Sequence, residues 1–289
     1  MTRRGIILAG GIGTRLHPLT RVTSKQLLPI YDKPMIYYPL SSLMLAGIRD
    51  ILIITTPHSQ LAFKDLLGSG RQWGLHLDYA LQPRPEGVAQ ALVIAADFIS
   101  GHPCCLILGD NILYGHGLAE LLRHAAEDIG NATVFGYRVD DPRRYGVIEF
   151  DDQSGVVSIV EKPPEPKSNW AAIGLYFYDQ DAGELVKTLK RSPRGEYEIT
   201  DLNNLYIREK KLKVERMGRG FAWFDAGTFD SLLEAAEFVR VLQARQGRLI
   251  CAPEEIAYHN GWISWDDLNA LAGKLDQSYG KRLTEQAAR

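Results

Sequence analysis

Gly5-Ile6-Ile7-Leu8-Ala9-Gly10-Gly11-Ile12-Gly13-Thr14-Arg15-Leu16 is the stretch that decides the fold. Ile6 to Ala9 is apolar throughout and reads as a buried strand ending in a glycine loop. Glycines let backbone N–H groups approach an anion closely and allow positive φ, so successive N–H groups can form an anion nest. Arg15 adds a fixed charge suited to phosphate oxygens. Two better-known glycine spellings fail here. A dinucleotide fingerprint begun at Gly11 needs glycine at 16, where Leu16 stands. A Walker loop begun at Gly5 has Gly10 but needs lysine next, where Gly11 stands. Taken alone, the loop is either a phosphate cradle or a glycine-rich βα turn with no ligand.

Outward from this loop, strand and helix signals alternate. Helices are expected over 34–46, where Pro34 suits a first turn and Gly47 ends the run, and over 58–67, 86–98 and 118–126. Strands are expected over 51–54, 75–81, 104–108 and 133–139. Apolar strands separated by helices imply a parallel sheet covered on both faces, with ligands outside the carboxyl ends of the strands. The glycine loop and Asp110 both lie at such ends. From about residue 140 the pattern changes. Gly146–Phe150 and 156–160 flank Asp151-Asp152-Gln153-Ser154-Gly155 and read as a hairpin. A strand over 171–178, helices over 181–189 and 199–209, and a strand over 212–217 follow. A long helix over 229–244 comes next, and the tail from 253 to 289 looks helical and then frays.

The bulk properties exclude several classes. The chain has 289 residues, 45% hydrophobic and 24% charged, with a formal net charge of −2. No global basic field marks a nucleic-acid binder. The basic run from Arg208 to Lys213 contains Glu209 and reads as a solvated helix end. No stretch approaches the length of a membrane span. Cys104, Cys105 and Cys251 show no zinc spacing, and adjacent cysteines on a strand point to opposite faces as small hydrophobes. Sparse, unpaired cysteine and no secretory signal predict a cytoplasmic protein. No hexapeptide repeat follows residue 240, so a β-helix tail is not expected.

Three further motifs suggest chemistry. Ser24-Lys25-Gln26-Leu27-Leu28-Pro29 puts an ammonium ten residues after Arg15, within reach of the same phosphates. Leu108-Gly109-Asp110-Asn111 ends a buried strand in an acid, and Trp223-Phe224-Asp225-Ala226-Gly227 offers a second acid between aromatics and glycine. Mg²⁺ takes one or two carboxylates, with phosphate oxygens and waters filling the rest; each Asp read separately is equally a turn former. In Val160-Glu161-Lys162-Pro163, the acid suits sugar hydroxyls and the ammonium a phosphate, or both are surface charges at a hairpin edge.

Together these stretches closely resemble the nucleoside-diphosphate-sugar pyrophosphorylases over nearly the whole chain. The matching residues run from 5 to 18 and 24 to 29, then Asp32-Lys33-Pro34-Met35-Ile36-Tyr37-Tyr38-Pro39, Leu108-Gly109-Asp110-Asn111, Arg144-Tyr145-Gly146-Val147 and Glu161-Lys162-Pro163. They continue with Gly174-Leu175-Tyr176-Phe177-Tyr178-Asp179, 193 to 201, and Gly218-Arg219-Gly220 with Ala222-Trp223. The resemblance implies an α/β fold with a Rossmann-like, mostly parallel central sheet, a sugar-binding β lobe and a helical C-terminal appendage. On that basis residues 1–140 form the nucleotide part and 141–240 the sugar-phosphate part of one core, with 241–289 as the appendage.

The spelling Ser24-Lys25-Gln26 is similar to the thymidylyl-transferring members; uridylyl relatives usually read Pro-Lys-Glu there. The resemblance therefore implies dTTP and glucose 1-phosphate as substrates, Mg²⁺ as cofactor and transfer to give dTDP-glucose, the opening step of dTDP-L-rhamnose synthesis. The rival substrate is UTP; the rival class is a non-catalytic nucleotide-sugar sensor, which would have no need to keep Lys25, Asp110 and Asp225. Position by position, Leu8, Gly10, Gly11, Gly13 and Thr14 would line the nucleotide. Arg15 and Lys25 would hold the β- and γ-phosphates. Gln26, Gln82 and Gly87 would recognise base and nucleoside, and Asp110 and Asp225 would bind Mg²⁺. Tyr145, Gly146, Glu161, Ile173, Gly174 and Tyr176 would seat the glucose, with Lys162 on its phosphate. The resemblance further implies a homotetramer and a second, regulatory nucleotide site answering to dTDP-rhamnose. Gly115, His116, Glu120, Gly218, Arg219 and Glu255 would belong to it, and Ala119 stands where some relatives carry His.

Overall fold

Runs of isoleucine, leucine and cysteine form the middle of the sheet because both of their faces are covered. Ile6, Ile7, Ile51, Ile53, Ile54, Cys104, Cys105, Leu106 and Ile107 expose no surface. The computed structural model describes residues 2–275 and 277–287. Its strands are β1 (Arg4–Ala9), β2 (Pro29–Ile30), β3 (Lys33–Pro34), β4 (Asp50–Thr55), β5 (His76–Leu81), β6 (Cys104–Leu108), β7 (Asn111–Gly115), β8 (Ala132–Arg138), β9 (Gly146–Phe150), β10 (Val156–Glu161), β11 (Trp170–Tyr178), β12 (Leu212–Met217) and β13 (Phe221–Asp225). Its α-helices are α1 (Tyr37–Leu45), α2 (Gln60–Leu67), α3 (Gln90–Ile94), α4 (Ala96–Ile99), α5 (Leu118–Glu127), α6 (Ala182–Leu185), α7 (Ile199–Arg208), α8 (Phe229–Gln246), α9 (Pro253–His259), α10 (Trp265–Ala272) and α11 (Gln277–Ala287).

Nine strands form one sheet, with the path β10-β9-β11-β6-β1-β4-β5 and with β8 joining β11 to β12. The stretch β6-β1-β4-β5 is parallel. β11 runs antiparallel to β6, β8 and β9, so it stitches the β lobe onto the parallel half. A core lies on each face. Cys105 packs with Ile7 and Ile53 on one, and Cys104 with Ile6 and Ile54 on the other, as strand alternation requires.

The structure corrects two helix expectations. The helix expected from 34 begins at Tyr37, because Pro29–Ile30 and Lys33–Pro34 close a two-rung ladder through Tyr31 at φ 60°. The helix expected over 86–98 is two short ones. Gly87 at φ +105° delays its start, and Ala95 at ψ 4° breaks it. The tail is helical as expected as far as Ala287, and the last two residues, which belong to the expected frayed end, fall outside the described residues. α9 docks on α1: Ile256 and Ala257 share a core with Leu40 and Met44, and Asn260 Nδ2 donates to the Met44 carbonyl at 3.1 Å.

One element went unforeseen. β7 and β13 pair antiparallel as a separate two-stranded ribbon, with Asp225 opposite Asn111 at one end and Phe221 opposite Gly115 at the other. Immediately beyond Asp225, Thr228 and Ser231 cap α8 reciprocally, each side chain accepting from the other's backbone N–H.

Candidate active site

Three of the four parallel strands, β1, β5 and β6, deliver candidate site residues from their carboxyl ends. After β1, Gly13 adopts a left-handed conformation (φ 67°, ψ 32°), and its carbonyl accepts from Leu16 N and from Thr20 Oγ1 at 2.6 Å. This winds Thr14–Leu16 into a single turn and leaves Gly11, Thr14 and Arg15 exposed above the sheet. Gly10 is glycine for a steric reason. A Cβ there would fall 1.8 Å from Oε1 of Gln82, the buried residue that follows β5. Gln82 in turn donates to Gln90 at 2.7 Å. Gln26 is also buried, accepts from Ser24 Oγ at 2.6 Å, and packs over Gly109, where a Cβ would lie 2.9 Å from its Cγ. Gly87 leans on Tyr197, and a Cβ would meet that carbonyl at 2.3 Å. Leu8 contributes its carbonyl, which accepts from Gly109 N at 2.9 Å.

After β6 comes Asp110, ion-paired with Lys25. Burial opposes its ionisation, but the Lys25 charge and hydrogen bond, together with a donor from Asn111, outweigh burial and hold the carboxyl below its usual range. The ribbon then brings Asp225 to the same place. Burial first, and the Asp110 charge second, push its carboxyl up against the opposing pull of Lys25, Arg15 and Arg144. Arg144 Nη2 lies 3.7 Å from Asp225 Oδ2. The Arg15 guanidinium lies over Gly227, where an added Cβ would be 2.8 Å from Nη2 and 3.0 Å from Asp225 Oδ1. Two carboxylates thus face one space and repel each other, held there by nearby cations.

That space is a cavity of about 430 Å³. Arg15, Asp110, Tyr145, Gly146, Glu161, Lys162, Gly174, Tyr176 and Asp225 all line it, so residues expected from both halves of the chain meet there. Lys162 takes a left-handed φ of 43°, donates its N–H to the Tyr145 carbonyl, and sets Nζ 3.2 Å from Glu161 Oε1. Burial pushes the Glu161 carboxyl up against the opposing charge of Lys162. Ile173 departs from expectation. It is the odd residue between Ala172 and Gly174 on β11, so its side chain enters the opposite core and does not line the cavity.

Eight residues to which the sequence reading assigns no role also line the cavity, among them Val88, Asn111, Arg143, Arg144 and Trp223. Trp223 packs edge-on against Tyr145 with ring centroids 5.0 Å apart. Arg194 reaches Glu161 at 3.4 Å from the loop before α7. The signals are present in the sequence, since Arg144 precedes Tyr145-Gly146 and aromatics flank Asp225, but only the fold aims them.

A second cavity of about 800 Å³ lies at the far end of the ribbon. Gly115, His116, Ala119, Glu120 and Glu255 line it together with Arg248. Gly218 and Arg219 do not line it, although their neighbour Gly220 does. Among the described residues no three His, Cys, Asp or Glu side chains cluster as a metal cage. No described helix is long and apolar enough to cross a membrane.

An exposed glycine loop, a carboxylate pair and a polar cavity at one sheet edge are the parts expected of a nucleotide-handling transferase. The chain belongs to the nucleotidyl transferase family, whose sequence model matches residues 4–241. It is similar to glucose-1-phosphate thymidylyltransferase of Xanthomonas campestris pv. campestris (strain B100), 59% identical over 99% of this chain and 98% of the relative. It is also similar to the protein of that name from Neisseria gonorrhoeae, 56% identical over 97% and 98%. Among solved structures, a Bacillus anthracis protein described as a glucose-1-phosphate thymidylyltransferase in complex with a sucrose superposes with a TM-score of 0.76. It is 40% identical, over 83% of this chain and 96% of that one.

Proposed function

We propose that this nucleotidyltransferase moves a thymidylyl group from dTTP to glucose 1-phosphate, giving dTDP-glucose and pyrophosphate. The observation that carries the reading is the meeting of Asp110, Asp225, Arg15 and Lys162 around one cavity, on a chain 59% identical to a relative of that name. A sugar-phosphate oxygen attacks the α-phosphorus in line; the new P–O bond forms as the bond to pyrophosphate breaks. No side-chain nucleophile is required, because the attacking phosphate is already ionised. Arg15 and Lys25 neutralise charge on the leaving group. Lys162 orients the attacking phosphate, and Glu161 holds sugar hydroxyls against the wall of Tyr145, Gly146, Gly174 and Tyr176. Positioning and electrostatics carry the rate.

Asp110 and Asp225, which line the same cavity, would hold a divalent cation, Mg²⁺ in our reading. Their mutual repulsion is what such an ion relieves, and two carboxylates with substrate oxygens complete its preferred oxygen set. When bound it supplies charge stabilisation to the phosphates. Gly10, Gly11, Gly13, Thr14 and Leu8 would line the nucleotide, with Gln26, Gln82 and Gly87 on the nucleoside. The cavity at the far end of the ribbon is our candidate for a regulatory nucleotide site responding to the end product, in a cytoplasmic homotetramer. A pyrophosphate-release assay crossing dTTP and UTP with several hexose 1-phosphates tests the main reading. Preference for UTP would replace it with the uridylyl alternative, and no release with any pair would refute it.

A further inference from the structure

Asn111 is only 2% exposed, yet both polar atoms of its side chain are engaged. Oδ1 accepts from Trp223 Nε1 at 2.6 Å and from Gly174 N at 3.1 Å, while Nδ2 donates to Asp110 Oδ1 at 3.1 Å. The amide can face only one way, because an indole and a peptide N–H are obligate donors and a carboxylate is an acceptor. Its three partners come from three separate elements: the turn after β6, strand β11 and strand β13. All three partners line the candidate active-site cavity. Space for the amide is provided at Gly174, where a Cβ would lie 2.8 Å from Nδ2 and 2.6 Å from the Leu108 side chain. Only a side chain that donates on one side and accepts on the other fits; leucine does neither, and aspartate would repel Asp110.

We infer that Asn111 is a positioning residue that ties the cation site to the sugar pocket. It fixes the Asp110 carboxylate from behind, and with the same amide it holds Trp223 and the Gly174 backbone as pocket wall. Cation affinity and sugar-phosphate affinity are therefore set through one side chain. The inference rests on the proposed function, which makes Asp110 a cation ligand. Hydrogen-bond partners of ligating carboxylates typically contribute about 10–100-fold to metal affinity or activity.

The test titrates metal-free protein with Mn²⁺, reading free ion by electron paramagnetic resonance, and measures KM for glucose 1-phosphate by pyrophosphate release. Asn111→Ser should weaken Mn²⁺ binding about 10–100-fold and raise that KM. Trp223→Phe removes only the indole donor, so it should raise KM while Mn²⁺ affinity stays at the wild-type value. Gly174→Ala displaces the amide without altering residue 111. It should weaken Mn²⁺ binding like Asn111→Ser, and it decides the question if the latter fails to fold. Wild-type Mn²⁺ affinity in a folded Asn111→Ser or Gly174→Ala protein overturns the role, as does equal loss in Trp223→Phe. A wild-type protein that neither binds Mn²⁺ nor releases pyrophosphate refutes the proposed function instead.

Discussion

Lys25 and Asp110 are each other's counterion in a nearly closed corner, so removing one leaves the other charge stranded. Asp110→Asn should lower stability by about 3 kcal/mol, measured by chemical denaturation at neutral pH. Asp225 behaves oppositely. Its carboxyl is raised, so its contribution to stability is complete below the unfolded value of about 4 and is lost as pH rises through the folded one. In chelator at neutral pH, Asp225→Asn should melt higher than wild type, and the gap should narrow as pH falls toward 4. The same variant should respond less to added Mg²⁺. A lower melting point at neutral pH would contradict this assignment of charge strain. Arg15→Ala should lower kcat by about 10²–10³-fold with KM for the sugar phosphate nearly unchanged; unaltered turnover would remove Arg15 from the leaving-group side. The glycines, Lys25 and both Asp residues could be read at this scale because their chemistry is local. Asn111, Arg144 and Arg194 could not, since their meaning lies in what faces them across the fold.

At the scale of elements, hydrophobic patterning carried most of the reading. Buried strands such as β1, β4 and β6 each carry an unbroken apolar run, so they announce themselves. The ribbon of β7 and β13 did not. Its two halves lie far apart in sequence, and Phe221–Asp225 is half-buried throughout, so no alternation marks it as a strand. The ribbon's hold on Asp225 depends on the capped start of α8 just beyond it. Thr228→Ala removes the side-chain acceptor for Ser231 N and should cost about 1 kcal/mol by denaturation. Turnover should fall as well, because the helix start adjoins both Asp225 and the Arg15 guanidinium over Gly227.

For the whole molecule, the α/β class and the site at the sheet's carboxyl edge were legible, while the docking of the C-terminal helices was not. Patterning marks a helix as amphipathic without naming the surface it covers. For α9 that surface is α1, with Glu254 and Ile256 buried, while α10 and α11 pack on α9 and on each other. Ending the chain after Gly247 should therefore expose core and lower the melting temperature sharply, whereas a freely attached appendage would leave it unchanged. The ribbon carries a further consequence, for synthesis of the chain. Asp110 leaves the ribosome early and Asp225 much later, and only the last-made half of the ribbon brings the two proposed cation ligands together. A chain that stops short of β13 holds the glycine loop and only one of the two carboxylates, so premature termination yields an inert product and not a leaky enzyme.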